Sequence, residues 1–449
     1  MGWLLVLALT QTELRWGGDL QGGAPFVVQD EKDASKLVGF EVEIADELGK
    51  RLGLTPRFVQ TDWSTLMQGL ERGTYDIAMN GLEATPARRE IALLTRPYLH
   101  FDLVLSVRRT QEDKPVRTVG VLENSLAHEE VSAHKDWEAK LYQGVEEPYA
   151  DLERGRIDAV LMDSVIEPIY GRREGLVVSQ KVGSGTYVIA CKKTNAGLCE
   201  RVDAALAAMI DDGSLATILG RWNLGGSNTE RIAGEPKRSF SWQQLLLFVR
   251  ASGMTLLVSL LAMVLAMTWG LLLASARAFG PKWARLLGSA IVESFRGTPV
   301  LLQLYVIYFG LAPVLTLSPL TAAIITLGLN YGAYEAEIYR AGLNAVPARQ
   351  WDAGLVLGLT RTQTFTHIVM PQAIRIALPG MANDFVSLLK DSALVSVITV
   401  VELTKQMQIT AIDLRSWVAP GIVCAAMYMA MSLPASQLGR YLERRLQSA

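Results

Sequence analysis

The sequence predicts a chain in two parts, a soluble α/β domain of two lobes followed by an all-α domain that crosses a membrane several times. Three observations lead there. Charged residues run throughout positions 13–250, whereas Ala251 to Ala276, Gly297 to Tyr334 and Ser416 to Gly439 contain none. Apolar residues of the first half recur at helical spacing in some segments and gather into short runs in others. One pattern of helix end, glycine and strand also occurs twice in that half.

Composition agrees with this division. The chain has 449 residues, enough for two or three domains, and it is 50% hydrophobic yet 20% charged. Its mean hydropathy is +0.22, which fits a soluble part joined to a membrane part better than one soluble domain. A net charge of −2 argues against a nucleic-acid partner. The three cysteines fit no metal-site spacing. Cys424 lies inside an apolar span, while Cys191 and Cys199 are placed where an extracytoplasmic disulfide is permitted. At the N-terminus, Gly2 to Leu9 is an apolar run that resembles the end of a signal peptide, with a buried first strand as the alternative.

The soluble half alternates strands and helices. Leu14-Arg15-Trp16 reads as a short strand before a Gly-rich loop. Phe40, Ile44, Leu48 and Leu52 form a helical stripe; Pro56 stops that helix, and Arg57-Phe58-Val59 is the next strand. The repeated pattern is Leu70-Glu-Arg-Gly73 before Tyr75-Asp-Ile-Ala-Met-Asn80, and Leu152-Glu-Arg-Gly155 before Ile157-Asp-Ala-Val-Leu-Met-Asp163. Ligands of open α/β sheets bind beyond the carboxyl ends of strands. Two such units therefore suggest two lobes, each presenting a strand end to a shared cleft.

In the second half each uncharged stretch can cover a hydrocarbon core of roughly 30 Å, which needs about 20 helical residues. The second stretch is too long for one helix and divides at Pro313 and Pro319. Basic residues cluster at Arg277, Lys282 and Arg285, at Arg340, Arg349, Arg361 and Arg375, and at Arg440, Arg444 and Arg445. All three groups are cytoplasmic if the first domain is outside and five spans follow. Gly225 to Lys237 has the composition of a tether.

Lys36-Leu-Val-Gly-Phe-Glu-Val-Glu-Ile-Ala45, Thr61-Asp-Trp63 and Thr85-Pro-Ala-Arg-Arg89 resemble the periplasmic polar amino-acid binding proteins. The resemblance covers about residues 13–225. It implies a bilobed type II periplasmic-binding-protein fold, with lobe one at 13–107 and 187–225 and lobe two at 108–186. By the same resemblance Arg88 clamps the ligand carboxylate, where a planar guanidinium can pair with both oxygens. Asp163 takes the ammonium, or caps the helix that follows it, or both. Trp63 walls the side chain, and Asn80 and Gly81 offer backbone carbonyls. Asp19, in the first loop, and Ser125, in the loop Glu123-Asn-Ser-Leu126, complete the expected contacts. Glu83 stands where the family has Ser or Thr, and an acid there adds negative potential beside Asp163. That favours a basic or neutral ligand over an acidic one.

Ser294-Phe-Arg-Gly-Thr-Pro299, Asn383-Asp-Phe-Val-Ser-Leu-Leu-Lys-Asp-Ser392 and Asp352-Ala-Gly-x-x-x-Gly358 followed by Ile368-Val-Met-Pro371 resemble permease domains of type I ABC importers for polar amino acids. This resemblance covers about 245–449, after a linker at 226–244. It implies that Asp352, Ala353, Gly354 and Gly358 belong to the cytoplasmic loop that meets an ATPase. Asn383, Lys390 and Asp391 are then pathway residues, since charges are costly at membrane depth unless they pair or line a polar cavity.

No Gly-x-x-x-x-Gly-Lys-Ser/Thr phosphate loop occurs. The chain itself is therefore expected to bind no cofactor and to be no enzyme. ATP and Mg enter through separate cytoplasmic ATPase subunits. The expected assembly is a permease homodimer or heterodimer in the lipid of a bacterial inner membrane, with the binding domain outside and the C-terminus in the cytoplasm. Two rivals use the same binding fold: an amino-acid-gated channel, and a dehydratase-type enzyme.

Overall fold

The computed structural model describes residues 12–30, 32–33, 35–224, 240–312, 314–315 and 317–447. The N-terminal apolar run, the whole tether Gly225 to Lys237 and Pro313 lie outside the described residues. The chain divides into two compact units, Met1–Gln244 with Gln408–Pro420, and Leu245–Met407 with Gly421–Ala449.

In the first unit the chain builds β1 (Glu13–Gly18), a small antiparallel pair β2 (Val28–Gln29) and β3 (Leu37–Val38), then α1 (Phe40–Leu52), β4 (Thr55–Gln60), α2 (Leu66–Arg72), β5 (Ile77–Ala78), α3 (Pro86–Ile91) and β6 (Ala92–Leu94). Next come β7 (Leu99–Arg108), β8 (Thr118–Leu122), α4 (Leu126–Ala133), β9 (Glu138–Tyr142), α5 (Glu146–Glu153), β10 (Ala159–Asp163), α6 (Glu167–Tyr170) and β11 (Leu176–Tyr187). β12 (Ala190–Lys192), α7 (Ala196–Asp211) and α8 (Ser214–Arg221) return to the first lobe. Two five-stranded sheets result, ordered β4-β1-β5-β12-β6 and β11-β7-β10-β8-β9. β1 is parallel to β4 and β5, and β10 is parallel to β8.

α1 is the helix that the stripe predicts. Phe40, Ile44 and Leu48 are buried, Glu41 and Glu43 open its first turn, and Lys50 and Arg51 close its last, which suits the helix dipole. It stops at Gly53, before Pro56 can interrupt it. The repeated helix–glycine–strand pattern is real structure. Gly73 and Gly155 both take the left-handed conformation, with φ of 76° and 74°, that reverses the chain out of α2 and α5 into β5 and β10. A side chain at either position would be strained.

Two boundaries differ from expectation. β7 begins at Leu99 and pairs antiparallel with β10 and β11, so the second sheet starts several residues earlier than 108. A ten-residue strand that leaves one lobe and belongs wholly to the next shows no break in its apolar pattern. Gln408–Pro420, expected with the permease, clusters with the first unit. There Ile412 is buried in the apolar core and the Arg415 guanidinium lies 5.1 Å from the centre of the Tyr170 ring. Cys191 and Cys199 are buried free thiols.

The rest of the chain is helical: α9 (Trp242–Phe279), α10 (Lys282–Gly297), α11 (Val300–Tyr305), α12 (Pro319–Ala345), α13 (Ala348–Val356), α14 (Arg361–Thr364), α15 (Met370–Asp391), α16 (Leu403–Asp413) and α17 (Val418–Gln447). α9 has 38 residues, about 57 Å at 1.5 Å each, which exceeds a hydrocarbon core. α9 and α17 are long and apolar enough to cross a membrane by themselves. α11 continues through a π-helical turn to Gly310, and α12 starts at Pro319 under the cap of Ser318, whose side chain accepts from Thr321 N–H. The uncharged stretch therefore divides where its prolines predict. Small residues let the helices approach closely: a Cβ added at Gly332 would meet Trp269 and the Ala266 carbonyl at 2.7 and 3.2 Å.

Candidate functional site

The cleft is built by strand ends and the turns that follow them. β5 runs into Asn80 and Gly81, and β10 ends on Asp163. Thr85 caps α3 by accepting from Arg88 N–H, and Pro86 fills the first helical turn, where its missing N–H costs nothing. That fixes Arg88 one turn in. Ser125 caps α4. A hollow of about 30 Å³ remains, lined by residues that include Phe26, Trp63, Asn80, Gly81, Glu83 and Asp163. With the lobes shut it has room for a water or two, so a ligand of amino-acid size enters only as they part.

Asp163 sits 7% exposed at the end of β10, and its Oδ1 accepts from the Val165 and Ile166 N–H groups at 3.0 and 2.7 Å. It thus caps the turn and also faces the hollow. Burial pushes its carboxyl up to about 6, against the pull of those donors, and the Glu83 charge adds to the rise. Trp63 lines the hollow, and its Nε1 donates to Glu123 O at 3.0 Å, joining the lobes. Ala24 N–H donates to the Tyr170 hydroxyl at 3.1 Å, a second cross-lobe bond.

Four expected ligand contacts are engaged elsewhere. Arg88 is not open for a ligand carboxylate: its Nη1 donates to Glu83 O at 2.8 Å and to Glu83 Oε2 at 2.6 Å, and its Nη2 to Asn124 O at 2.8 Å. Glu83, expected beside Asp163 at the ammonium, is turned to Arg88, and its Oε1 accepts from Leu126 N–H at 3.1 Å. Asp19 points into its own loop, where it accepts from Gln21 N–H, Gln60 Nε2 and Trp63 N–H. The Ser125 hydroxyl donates to Leu122 O and accepts from His128 N–H. Asp19 and Ser125 are short polar side chains at turns, where they satisfy buried backbone N–H groups.

One residue escaped the sequence reading. Glu41 is fully buried under the cleft, where its Oε1 accepts from Gly81 N–H at 2.7 Å and from the Tyr98 hydroxyl. Burial pushes its carboxyl to about 7. It holds the Gly81 backbone in place. The only sequence signal was an acid directly after the first apolar residue of a helical stripe.

In the second unit the expected coupling loop is α13 and its continuation, ended by Gly358 in the left-handed region. Asp352 and Ala353 are exposed. Gly354 is buried, and an added Cβ would meet Thr364 atoms at 2.5, 2.6 and 3.0 Å. Its smallness therefore serves the packing of α13 on α14 rather than a surface open to a partner. The open surface is apolar instead: Val356 is 86% and Leu357 77% exposed. Asn383 and Lys390 are exposed on α15, and Asp391 accepts from the Tyr331 hydroxyl at 2.7 Å.

Comparison with known proteins agrees with this division. Residues 15–225 match the bacterial extracellular solute-binding proteins, family 3, and residues 266–448 match the binding-protein-dependent transport system inner membrane component family. The L-cystine transport system permease protein TcyB of Bacillus subtilis (strain 168) is 37% identical over 195 residues, which is 43% of this chain and 83% of that one. The glutamine transport system permease protein GlnP of Escherichia coli (strain K12) is 37% identical over 213 residues, 46% of this chain and 95% of that one. Among solved structures, an amino acid ABC transporter with histidines is 36% identical, with a TM-score of 0.44 over 46% of this chain and all of the other.

Proposed function

The chain belongs to the binding-protein-dependent transport system inner membrane components, with a family 3 solute-binding domain fused ahead of its permease, and from that premise we propose how it moves its substrate. It joins the binding-protein and permease parts of an amino-acid ABC importer in one polypeptide, and it is a transporter rather than an enzyme. The substrate is a small polar solute of the amino-acid class, taken by the cleft through its cationic group. The observation that carries this is Asp163, a buried carboxylate at a strand end facing a hollow between two sheets.

The binding domain stands outside the bacterial inner membrane and the C-terminus lies in the cytoplasm. Ligand closes the lobes, and two permease domains, homo- or heterodimeric, pass it inward through a pathway that includes Asn383, Lys390 and Asp391. Separate ATPase subunits bind ATP and Mg and act on the α13 loop around Asp352, Ala353 and Gly358. Fusion replaces a diffusing receptor with one held at high effective concentration, of order mM for a short flexible linker.

Uptake in proteoliposomes holding the full chain and its cognate ATPase tests the proposal. Accumulation of a labelled amino-acid-class solute should require ATP. Flux without ATP would favour the channel, and chemical conversion of the solute the enzyme.

Proton linkage supplies a second test. A cation needs Asp163 charged, but in the empty cleft its carboxyl titrates near 6. Affinity should therefore be full above that value and fall below it, with the dissociation constant rising about tenfold from pH 7 to pH 5. The stability of the empty domain should move oppositely. A carboxyl raised from 3.8 to about 6 holds its proton more firmly folded than unfolded. Stability from this group is thus lost as pH rises from about 4 to about 6. Calorimetry and melting at pH 5, 6 and 7 read both slopes.

A further inference from the structure

The cleft already contains a carboxylate at the place where an amino acid would put its own. Glu83 Oε2 lies 2.6 Å from Arg88 Nη1, and Glu83 Oε1 accepts from Leu126 N–H, at the start of α4 in the opposite lobe, at 3.1 Å. One side chain thus takes both the guanidinium of the first lobe and the helix N-terminus of the second, the two groups best suited to an anion. The other hydrogen bonds of Arg88 run to the carbonyls of Glu83 and Asn124. The pair is 9% and 7% exposed, so neither partner can turn to water when the other leaves. A β-bridge between Glu83 and Tyr187 holds the backbone on which the acid sits.

What remains open is of opposite character. The residues lining the hollow include the rings of Phe26 and Trp63, the amides of Asn80 and Gln143, and the carboxylate of Asp163, with no Lys, Arg or His among the described residues that line it. A carboxylate brought there would face two acids and no free cation. An ammonium or guanidinium would meet the Asp163 carboxylate and the Phe26 ring, both attractive to positive charge, while the Trp63 ring already carries the Arg88 guanidinium 5.1 Å from its centre.

We infer that Glu83 permanently fills the carboxylate subsite of this cleft, so that the site selects organic cations lacking an α-carboxylate, primary amines or guanidines of amino-acid size, over the amino acids that bear one. The inference rests on the cleft being the substrate site. Glu83 is then the specificity residue: it neutralises Arg88 from within, and Asp163 reads the ligand's positive end.

The test is calorimetric titration of the full chain in lipid nanodiscs at pH 7.5, with agmatine against L-arginine and cadaverine against L-lysine. In each pair the amine should bind at least tenfold more tightly than its amino acid. A smaller preference in both pairs, or any preference for the amino acids, overturns the inference. The Glu83→Ser variant frees Arg88, so it should shift the ratio at least tenfold toward the amino acid; an unchanged ratio overturns the role given to Glu83. Asp163→Asn separates this from the premise. If amines bind that variant as tightly as the wild type, or if wild type binds none of the four compounds, the cleft itself is not the site.

Discussion

Arg88→Ala is expected to lower the melting temperature of the binding domain by about 10 °C. The guanidinium and Glu83 are a buried pair joined at 2.6 Å. Removing one partner of such a pair strands the other charge, at a cost of about 3–5 kcal/mol, and each kcal/mol moves a domain of this size by roughly 2–4 °C. Resemblance alone assigned Arg88 to the ligand carboxylate. The geometry makes stability the first casualty. The double variant Arg88→Ala with Glu83→Ala should recover most of the loss, because no charge is then left alone. Tryptophan fluorescence of the full chain in nanodiscs follows the transition. A single-variant shift below 2 °C would mean that the pair does not hold this cleft together.

The second large effect is expected at the α13 loop. Val356→Glu should reduce ATP-driven uptake and substrate-stimulated ATP hydrolysis by more than 90%. At 86% exposure, Val356 touches little of its own chain, so the substitution leaves the fold intact. Exposed apolar side chains grouped at a loop are suited to burial by another protein, and a glutamate there would be buried without a partner. Gly354→Glu is the poorer probe, since Thr364 lies within 3.0 Å of the new side chain. It should lower permease yield and stability before it reports on coupling. Ligand affinity measured by calorimetry should stay unchanged in Val356→Glu. Near-normal uptake in that variant would remove the loop from the coupling surface.

Much of this architecture was readable because the governing constraints act on single residues or short spacings. A hydrocarbon core excludes charge, so uncharged stretches mark α9, α12 and α17. Chain reversal out of α2 and α5 demands a left-handed residue, so Gly73 and Gly155 mark the two strands that reach the cleft. Asp163 was legible for the same reason, as a polar residue ending an apolar run. The hydrogen-bond partners of Arg88, Glu83, Asp19 and Ser125 were not legible because a side chain's partner is decided in three dimensions. Glu83 reaches Arg88 across a turn and Leu126 across the cleft, and no spacing in the sequence encodes the second. Asp19 chooses among Gln21, Gln60 and Trp63, two of them some forty residues away. The affiliation of Gln408–Pro420 was hidden similarly, since Ile412 looks like any apolar helix residue until its neighbours are known.

The lobes are tied to one another by Trp63 to Glu123, Arg88 to Asn124, Leu126 to Glu83 and Ala24 to Tyr170, at 3.0, 2.8, 3.1 and 3.1 Å. None of these bonds involves cargo. At about 1 kcal/mol each, four of them favour the shut arrangement of the lobes over one that lacks them by roughly a thousandfold. Because these ties are the chain's own, closure by itself reports little about cargo. Discrimination then falls to whatever follows closure. In the absence of substrate, the importer should show a measurable idle rate of ATP consumption, and Trp63→Phe, which deletes one tie, should lower it.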